Sequence, residues 1–212
     1  MRKILFAASM MSLILAMSGC GSGSSSPPPV VVTQVVTSIL SNPSFDGDIK
    51  FDSPNLFTVT QGNIPSVFAG IDPVTLSEYR AFLVFPLTGA GGVPGSAFID
   101  SASLDIFIDS VSILPAASSI PIRIELVSFP QPLLVSDFNS IALAFTAIPI
   151  FRTDVLSHVR VDITSLMIEA QNRGLVNFQI RILEDFGIVS PGRIEINDTT
   201  VNRAPLLTVT YH

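Results

Sequence analysis

From residue 99 onward, apolar and polar positions alternate with a period of two. Ala102, Leu104, Ile106 and Ile108 fall on one phase, and Ser103, Asp105 and Asp109 on the other. The same alternation returns at Ile122, Ile124 and Leu126 against Arg123 and Glu125. It returns again at Val159, Val161 and Ile163 against His158, Arg160 and Asp162, and at Phe178, Ile180 and Ile182 against Asn177, Gln179 and Arg181. Such a pattern predicts half-buried antiparallel strands whose charged phase faces water. Phe107 is the exception on a polar phase, and it reads as an exposed aromatic able to meet another protein. Turn chemistry at Gly89 to Gly95, Pro115 and Pro191-Gly192 separates the runs. Strands at this spacing predict an all-β fold, an antiparallel β-sandwich of jelly-roll-like form. One segment breaks the period. Thr164 can cap a short helix with Leu166, Met167 and Ala170 on one face, and Gly174 stands where it would stop. The run Val30 to Leu40, rich in Val, Thr and Ile, reads as a first strand or as a segment packed on the sandwich.

Residues before position 30 follow another logic. Arg2 and Lys3 precede an apolar stretch from Ile4 to Met17, then small Ser18 and Gly19, then Cys20. This order predicts an export signal peptide over residues 1–19, because the apolar stretch is shorter than the roughly 20 residues a spanning helix needs. Leu15 to Cys20 resembles the lipobox of bacterial lipoproteins, with Met17 where leucine is more usual. Cys20 is the chain's one cysteine. In an oxidising envelope compartment cysteines come paired or not at all, so lipidation accounts for a lone one. Acyl chains on Cys20 would hold the protein to a membrane at about 0.8 kcal/mol per buried methylene. Gly21 and Ser22 follow without an aspartate, which favours the outer membrane, periplasmic or surface-exposed. Residues 20–29 read as the lipidated cysteine and a Gly/Ser/Pro linker, and residues 30–212 as a single β-sandwich domain. Removing Arg2 and Lys3 with the leader moves the formal net charge from −6 to −8 and leaves Lys50 as the only lysine. A nucleic-acid partner is excluded on that balance.

Several positions also fall in a familiar order: Tyr79, Arg80, Leu83 and Phe85; Ser101, Ala102 and Leu104; Val161 to Thr164; then Arg203, Pro205, Leu206, Val209 and Tyr211. From about Phe45 to the end the chain resembles the DNRLRE-type domain. That family comprises jelly-roll sandwiches of extracellular proteins related to carbohydrate-binding modules found beside alginate-degrading enzymes. Glu195 matches the family's recurrent late glutamate. The resemblance implies a fold and, through Tyr79, Arg80 and Glu195, either a ligand-facing set or an Arg80–Glu195 ion pair linking strands. The chain departs from the family in having no tryptophan, with Phe138 the nearest substitute, and in lacking the glycine usual between Asn177 and Phe178.

The remaining chemistry is sparse. Asp46, Asp48 and Asp52 cluster around Gly47 and are the candidate ligands of a structural calcium ion, which takes hard oxygen donors. No other cofactor is expected. Two histidines and one cysteine cannot assemble a zinc site. Ser157, His158 and Asp162 invite a triad, but alternation puts Ser157 and His158 on opposite faces. Glu184 and Asp185 are adjacent, so they too face apart and cannot flank one glycosidic bond; they read as solvated loop-end charges. The expectation is a non-catalytic, lipid-anchored cell-envelope protein whose sandwich mediates surface interaction or structural assembly with another envelope protein. The alternative is a carbohydrate-binding module that captures an acidic polysaccharide.

Overall fold

The alternating segments fold as strands throughout the computed structural model, which describes residues 33–185, 191–198 and 202–212. The leader, Cys20 and the linker lie outside the described residues. Twelve strands run in chain order: β1 (Val35–Leu40), β2 (Gly47–Asp52), β3 (Leu56–Gln61), β4 (Ser66–Ile71), β5 (Glu78–Pro86), β6 (Ile99–Ile113), β7 (Ser119–Val127), β8 (Ala144–Phe151), β9 (Ser157–Asp162), β10 (Asn177–Glu184), β11 (Gly192–Asn197) and β12 (Leu206–Tyr211). Among the described residues a single α-helix, α1 (Thr164–Asn172), separates β9 from β10.

All pairings given for these strands are antiparallel. One wall runs β8-β7-β10-β5-β2-β3 and the other β1-β12-β6-β9; the β4–β11 pair joins them, β4 to β5 and β11 to β6. The continuous sheet thus curls over on itself as a jelly-roll-like sandwich. The 15-residue β6 is shared among three partners. Its residues from Ile99 to Asp105 pair with β12, those from Ile108 to Ile113 with β11, and those from Ser103 to Ile108 with β9.

The inward phases of the strands other than β2 and β3 meet in one core, where Leu83, Phe85, Leu104, Ile106, Ile122, Ile124, Phe178, Ile180, Ile194 and Ile196 are fully buried. A second cluster lies on the reverse face of the first wall and contains Ile49, Phe82, Val84, Val127, Phe129, Leu133 and Phe138. Strand β5 is therefore buried on both faces. Its unbroken run from Ala81 to Phe85 is what such a strand requires.

The second cluster overturns one sequence expectation. The polar phase of β7 and β10 is not solvated: Glu125 and Arg181 are each 4 % exposed and Gln179 is 6 % exposed. The segment after β7, including a 3-10 turn at Val135–Asn139, packs over that face with Phe138 buried. Arg181 Nη2 donates to Glu125 Oε2 at 2.5 Å and Arg181 Nη1 to the Phe138 carbonyl at 2.7 Å. Gln179 bonds both the amide and the carbonyl of Phe129. Buried polar groups persist only when partnered in this way. Phe107 is likewise buried, beneath the Arg203 guanidinium at 4.3 Å and edge-on to His158.

The expected helix is present, with Leu166, Met167 and Ala170 buried. Thr164 is its first residue rather than a free cap, and its hydroxyl is tied to Asp162 and to the Ala102 amide of β6. Gly174, at φ +64°, receives the chain beyond the last turn. The predicted first strand is β1, paired with β12. At the opposite border of the sheet, β8 turns Phe145, Ala147, Pro149 and Phe151 outward, and Pro149 lies directly opposite Pro121 of β7.

A candidate binding cleft beside Tyr79

Strand β5 is flanked by β2 on one edge and by β4 on the other, so Tyr79 sits between Lys50 and Gly70 in register. Gly70 is obligatory at that point: its φ is +106°, and an added Cβ would lie 2.2 Å from the Gly192 carbonyl oxygen. Alternation puts Asp48 and Lys50 of β2 on the Tyr79 face, while Phe68 of β4 pairs with Glu195 of β11. These side chains, with Thr58, Thr60 and Ser66, line a cleft of about 500 Å³. The Phe68 and Tyr79 rings, 5.7 Å apart, are both half-buried. The Arg193 guanidinium lies 4.9 Å from the Phe68 ring and 5.3 Å from the Tyr79 ring.

The charges around the cleft are paired but not sealed. Lys50 Nζ lies 2.9 Å from Asp52 and 5.8 Å from the Tyr79 ring centre, and its hydrogen bond to Asp52 holds its pKa above the usual lysine range. Asp52 is held below the usual carboxylate range, first by the Ser77 hydroxyl and then by Lys50. Arg193 pairs with Asp72 at 2.9 Å. Glu195 accepts hydroxyl hydrogen bonds from Ser66 at 2.7 Å and Ser110 at 2.8 Å, which fix both carboxylate oxygens. Burial pushes Asp48 up to about 6, against the opposing pull of the Phe68 amide and Arg193. The result is two aromatic faces, one cationic rim and several fixed oxygens in one concavity. Such a surface suits a ligand with apolar ring faces and polar edges.

Of the three residues the family resemblance singled out, Tyr79 and Glu195 converge here and Arg80 does not. Arg80 follows Tyr79 by one residue, so it points into the second cluster. Its Nε donates to Glu78 at 2.6 Å, its Nη1 to the Phe138 carbonyl at 2.5 Å, and its guanidinium stacks 3.8 Å from the Phe138 ring centre. The carboxylate partner of Arg80 is Glu78, and an Arg80–Glu195 pair is not formed. Burial draws the Arg80 pKa down, opposed by Glu78. Phe68 and Arg193 were missed. Their signal was available, since Arg193 and Glu195 share a strand phase in Gly-Arg-Ile-Glu-Ile.

The three candidate calcium ligands are kept apart. Asp46 is fully buried with Oδ1 accepting the Val84 amide at 2.7 Å. Asp48 takes the Phe68 amide at 3.2 Å, and Asp52 is occupied by Lys50 and Ser77. Among the described residues no group of three or more acids, histidines or cysteines is placed to hold a metal ion. Ser157 donates to the Asp154 carbonyl, while His158 meets Asp105 at 2.5 Å on the other face. Asp185 pairs with Arg123. Glu184, expected in solvent, is buried, and desolvation pushes it up to about 7. Compared with protein-family models and with curated proteins, the chain matches none.

Proposed function

We propose that this chain is a non-catalytic, lipid-anchored cell-envelope protein that engages its partner through the Tyr79 cleft, and that the partner is a polysaccharide. The observation that carries the ligand class is the Phe68–Tyr79 ring pair, half-buried in a concavity with Lys50, Thr58 and Thr60 at its margin. Aromatic faces beside hydroxyl and charged edges match the alternating apolar and polar surfaces of a sugar ring. Lys50 and Arg193 are the groups an acidic polymer would engage, in exchange for their pairings with Asp52 and Asp72. The resemblance to DNRLRE-type domains points the same way, and the lipobox-like segment ending at Cys20 supports the anchor. Outer-membrane residence belongs to the same proposal.

The test is binding of the full chain, purified in detergent, to a panel of acidic and neutral polysaccharides, with Tyr79→Ala alongside. Saturable binding that the variant loses supports the reading; indifference across the panel sinks it. Mass spectrometry of the purified protein, against Cys20→Ser, tests the anchor separately. A second reading, structural assembly with an envelope protein, rests on the exposed row Phe145, Ala147, Pro149 and Phe151 of β8. Crosslinking from position 145 in the native membrane would identify that partner.

A further inference from the structure

Beyond the cleft, three loop ends meet at one end of the sandwich: the β1–β2 connection, the β3–β4 connection and the segment leaving β11. Backbone hydrogen bonds tie them together, from Ser41 to the Pro205 carbonyl, from Gly62 to the Asp46 carbonyl and from Asp198 to the Pro65 carbonyl. Within this junction lie the side chains of Ser41, Asp46 and Asp198, exposed by 5 %, 0 % and 1 %. Asp46 Oδ1 is satisfied by the Val84 amide. Among the described residues no group outside this trio satisfies Asp46 Oδ2, either carboxylate oxygen of Asp198 or Ser41 Oγ, and Asp46 and Asp198 can hydrogen-bond each other only when one of them is protonated. Ser41 and Asp198 nonetheless stand close enough to Asp46 to act on its titration.

Four oxygens without a partner outside the trio, two carboxyl groups among them, are costly in one buried site. Native proteins leave few buried polar atoms unpaired, and a buried carboxylate without a counter-charge is costlier still. Among the described residues neither acid has a salt-bridge partner. Arg203, the basic residue nearest to Asp198 in sequence beyond Arg193, is engaged with Asp109 and Phe107. Arg193 itself is held by Asp72. The missing positive charge must come from outside the chain, as a proton or as a cation.

We propose that Ser41, Asp46 and Asp198 form a binding site for a calcium ion that clamps these loops together. The donor set consists only of hard oxygens, without nitrogen or sulfur, which suits calcium and disfavours zinc. Magnesium keeps several waters and demands near-octahedral geometry, so a dry, loop-built site of carboxylates selects against it. The site shares Asp46 with the acidic cluster of the sequence but takes its second carboxylate from Asp198, 152 positions later in the numbering of the same chain. Calcium would therefore fasten the turn after β1 to the end of β11. Without the ion, the pair relies on protons: burial and the neighbouring Asp198 push Asp46 up to about 9.

The experiment uses the full chain in detergent, dialysed against calcium at trace level and then assayed for bound metal, with melting followed in calcium, magnesium and chelator. One calcium per chain is expected. At a hundredfold excess over its dissociation constant calcium should raise the melting temperature by about 5 to 10 °C over chelator. Asp198→Asn and Asp46→Asn should abolish both effects, and Asp48→Asn and Asp52→Asn should leave both intact. If the first two variants fail to fold, Ser41→Ala serves instead, with weakened calcium affinity expected. Absence of bound calcium in the wild-type protein, with equal melting in calcium and chelator, would overturn the proposal in favour of a shared proton. Calcium binding that survives Asp198→Asn, or that is lost in Asp48→Asn alone, would overturn the assignment of the site.

Discussion

The two faces of β5 around Tyr79 and Arg80 present the same ingredients to opposite effect. On each face a guanidinium lies over aromatic rings: Arg193 over Phe68 and Tyr79, and Arg80 over Phe138. On the Arg80 face, the segment around Phe138 covers most of the surface, and Arg80, Arg181 and the Phe138 carbonyl close a network with Glu78 and Glu125 that is buried at the Arg181–Glu125 pair. On the Tyr79 face nothing covers the rings completely, and each ion pair stays in contact with water. The first arrangement holds structure together because removing any member strands another. The second leaves surface to give to a ligand, at little cost to the fold.

This contrast predicts a graded series. The largest effect should come from Arg181→Ala, which leaves the buried Glu125 carboxylate only its longer 3.5 Å pairing with Arg123 and should destabilise by about 3 kcal/mol in urea unfolding. Replacing both, as Arg181→Met with Glu125→Leu, should recover most of that loss, because the cost lies in the unpaired charge. Arg80→Ala comes next, at about 1–3 kcal/mol, through loss of its Phe138 stack and of its bonds to Glu78 and the Phe138 carbonyl.

Glu184 offers a comparison within one wall: it is buried like Glu125 but has no salt-bridge partner among the described residues, only backbone amides, Gly192 at 3.4 Å and Ile71. Its pKa is raised from 4.5 to about 7, so the folded protein holds a proton that the unfolded chain releases. The stabilising contribution is full below about pH 4.5 and disappears as pH rises to about 7. Glu184→Gln should remove that slope, on the order of 2 kcal/mol across the window, from stability measured against pH.

The opposite face should respond in binding rather than in stability. Tyr79→Ala should cost about 1 kcal/mol of folding or less yet weaken polysaccharide binding tenfold or more. Lys50→Met should leave the melting temperature unchanged, since its pair with Asp52 is partly exposed, while reducing the binding of acidic polymers relative to neutral ones.

Strand phase was readable wherever one side of a strand met water, as in β9 and, apart from Phe107, in β6, and there the inward residues matched the core. It misled at β7 and β10. A charged phase looks the same in sequence whether water or a second apolar layer lies over it, and the covering segment around Phe138 carries no periodicity. Tyr79 and Glu195 reached the cleft because strand neighbours put them on the facing walls. Arg80 left it because adjacent residues in a strand cannot share a face. The meeting of Asp46 with Asp198 was invisible for a different reason: it depends on which loops the topology brings together, and no local spacing encodes that.

The two prolines across β7 and β8 bear on what the molecule can become in numbers. Residues directly opposite one another exchange either two hydrogen bonds or none, and Pro121 and Pro149, lacking N–H groups, can only form the second kind of pair. The Pro149 nitrogen therefore points away from β7, along the outer border of the sheet. Phe145 and Phe151, with Ala147 between them, would otherwise make β8 an inviting template for the same strand of another copy. A newcomer at that border meets a missing donor at its centre and cannot extend the ladder. The proline interrupts a row that could have grown into a filament, and so an apolar border can remain exposed with less risk of seeding polymerisation.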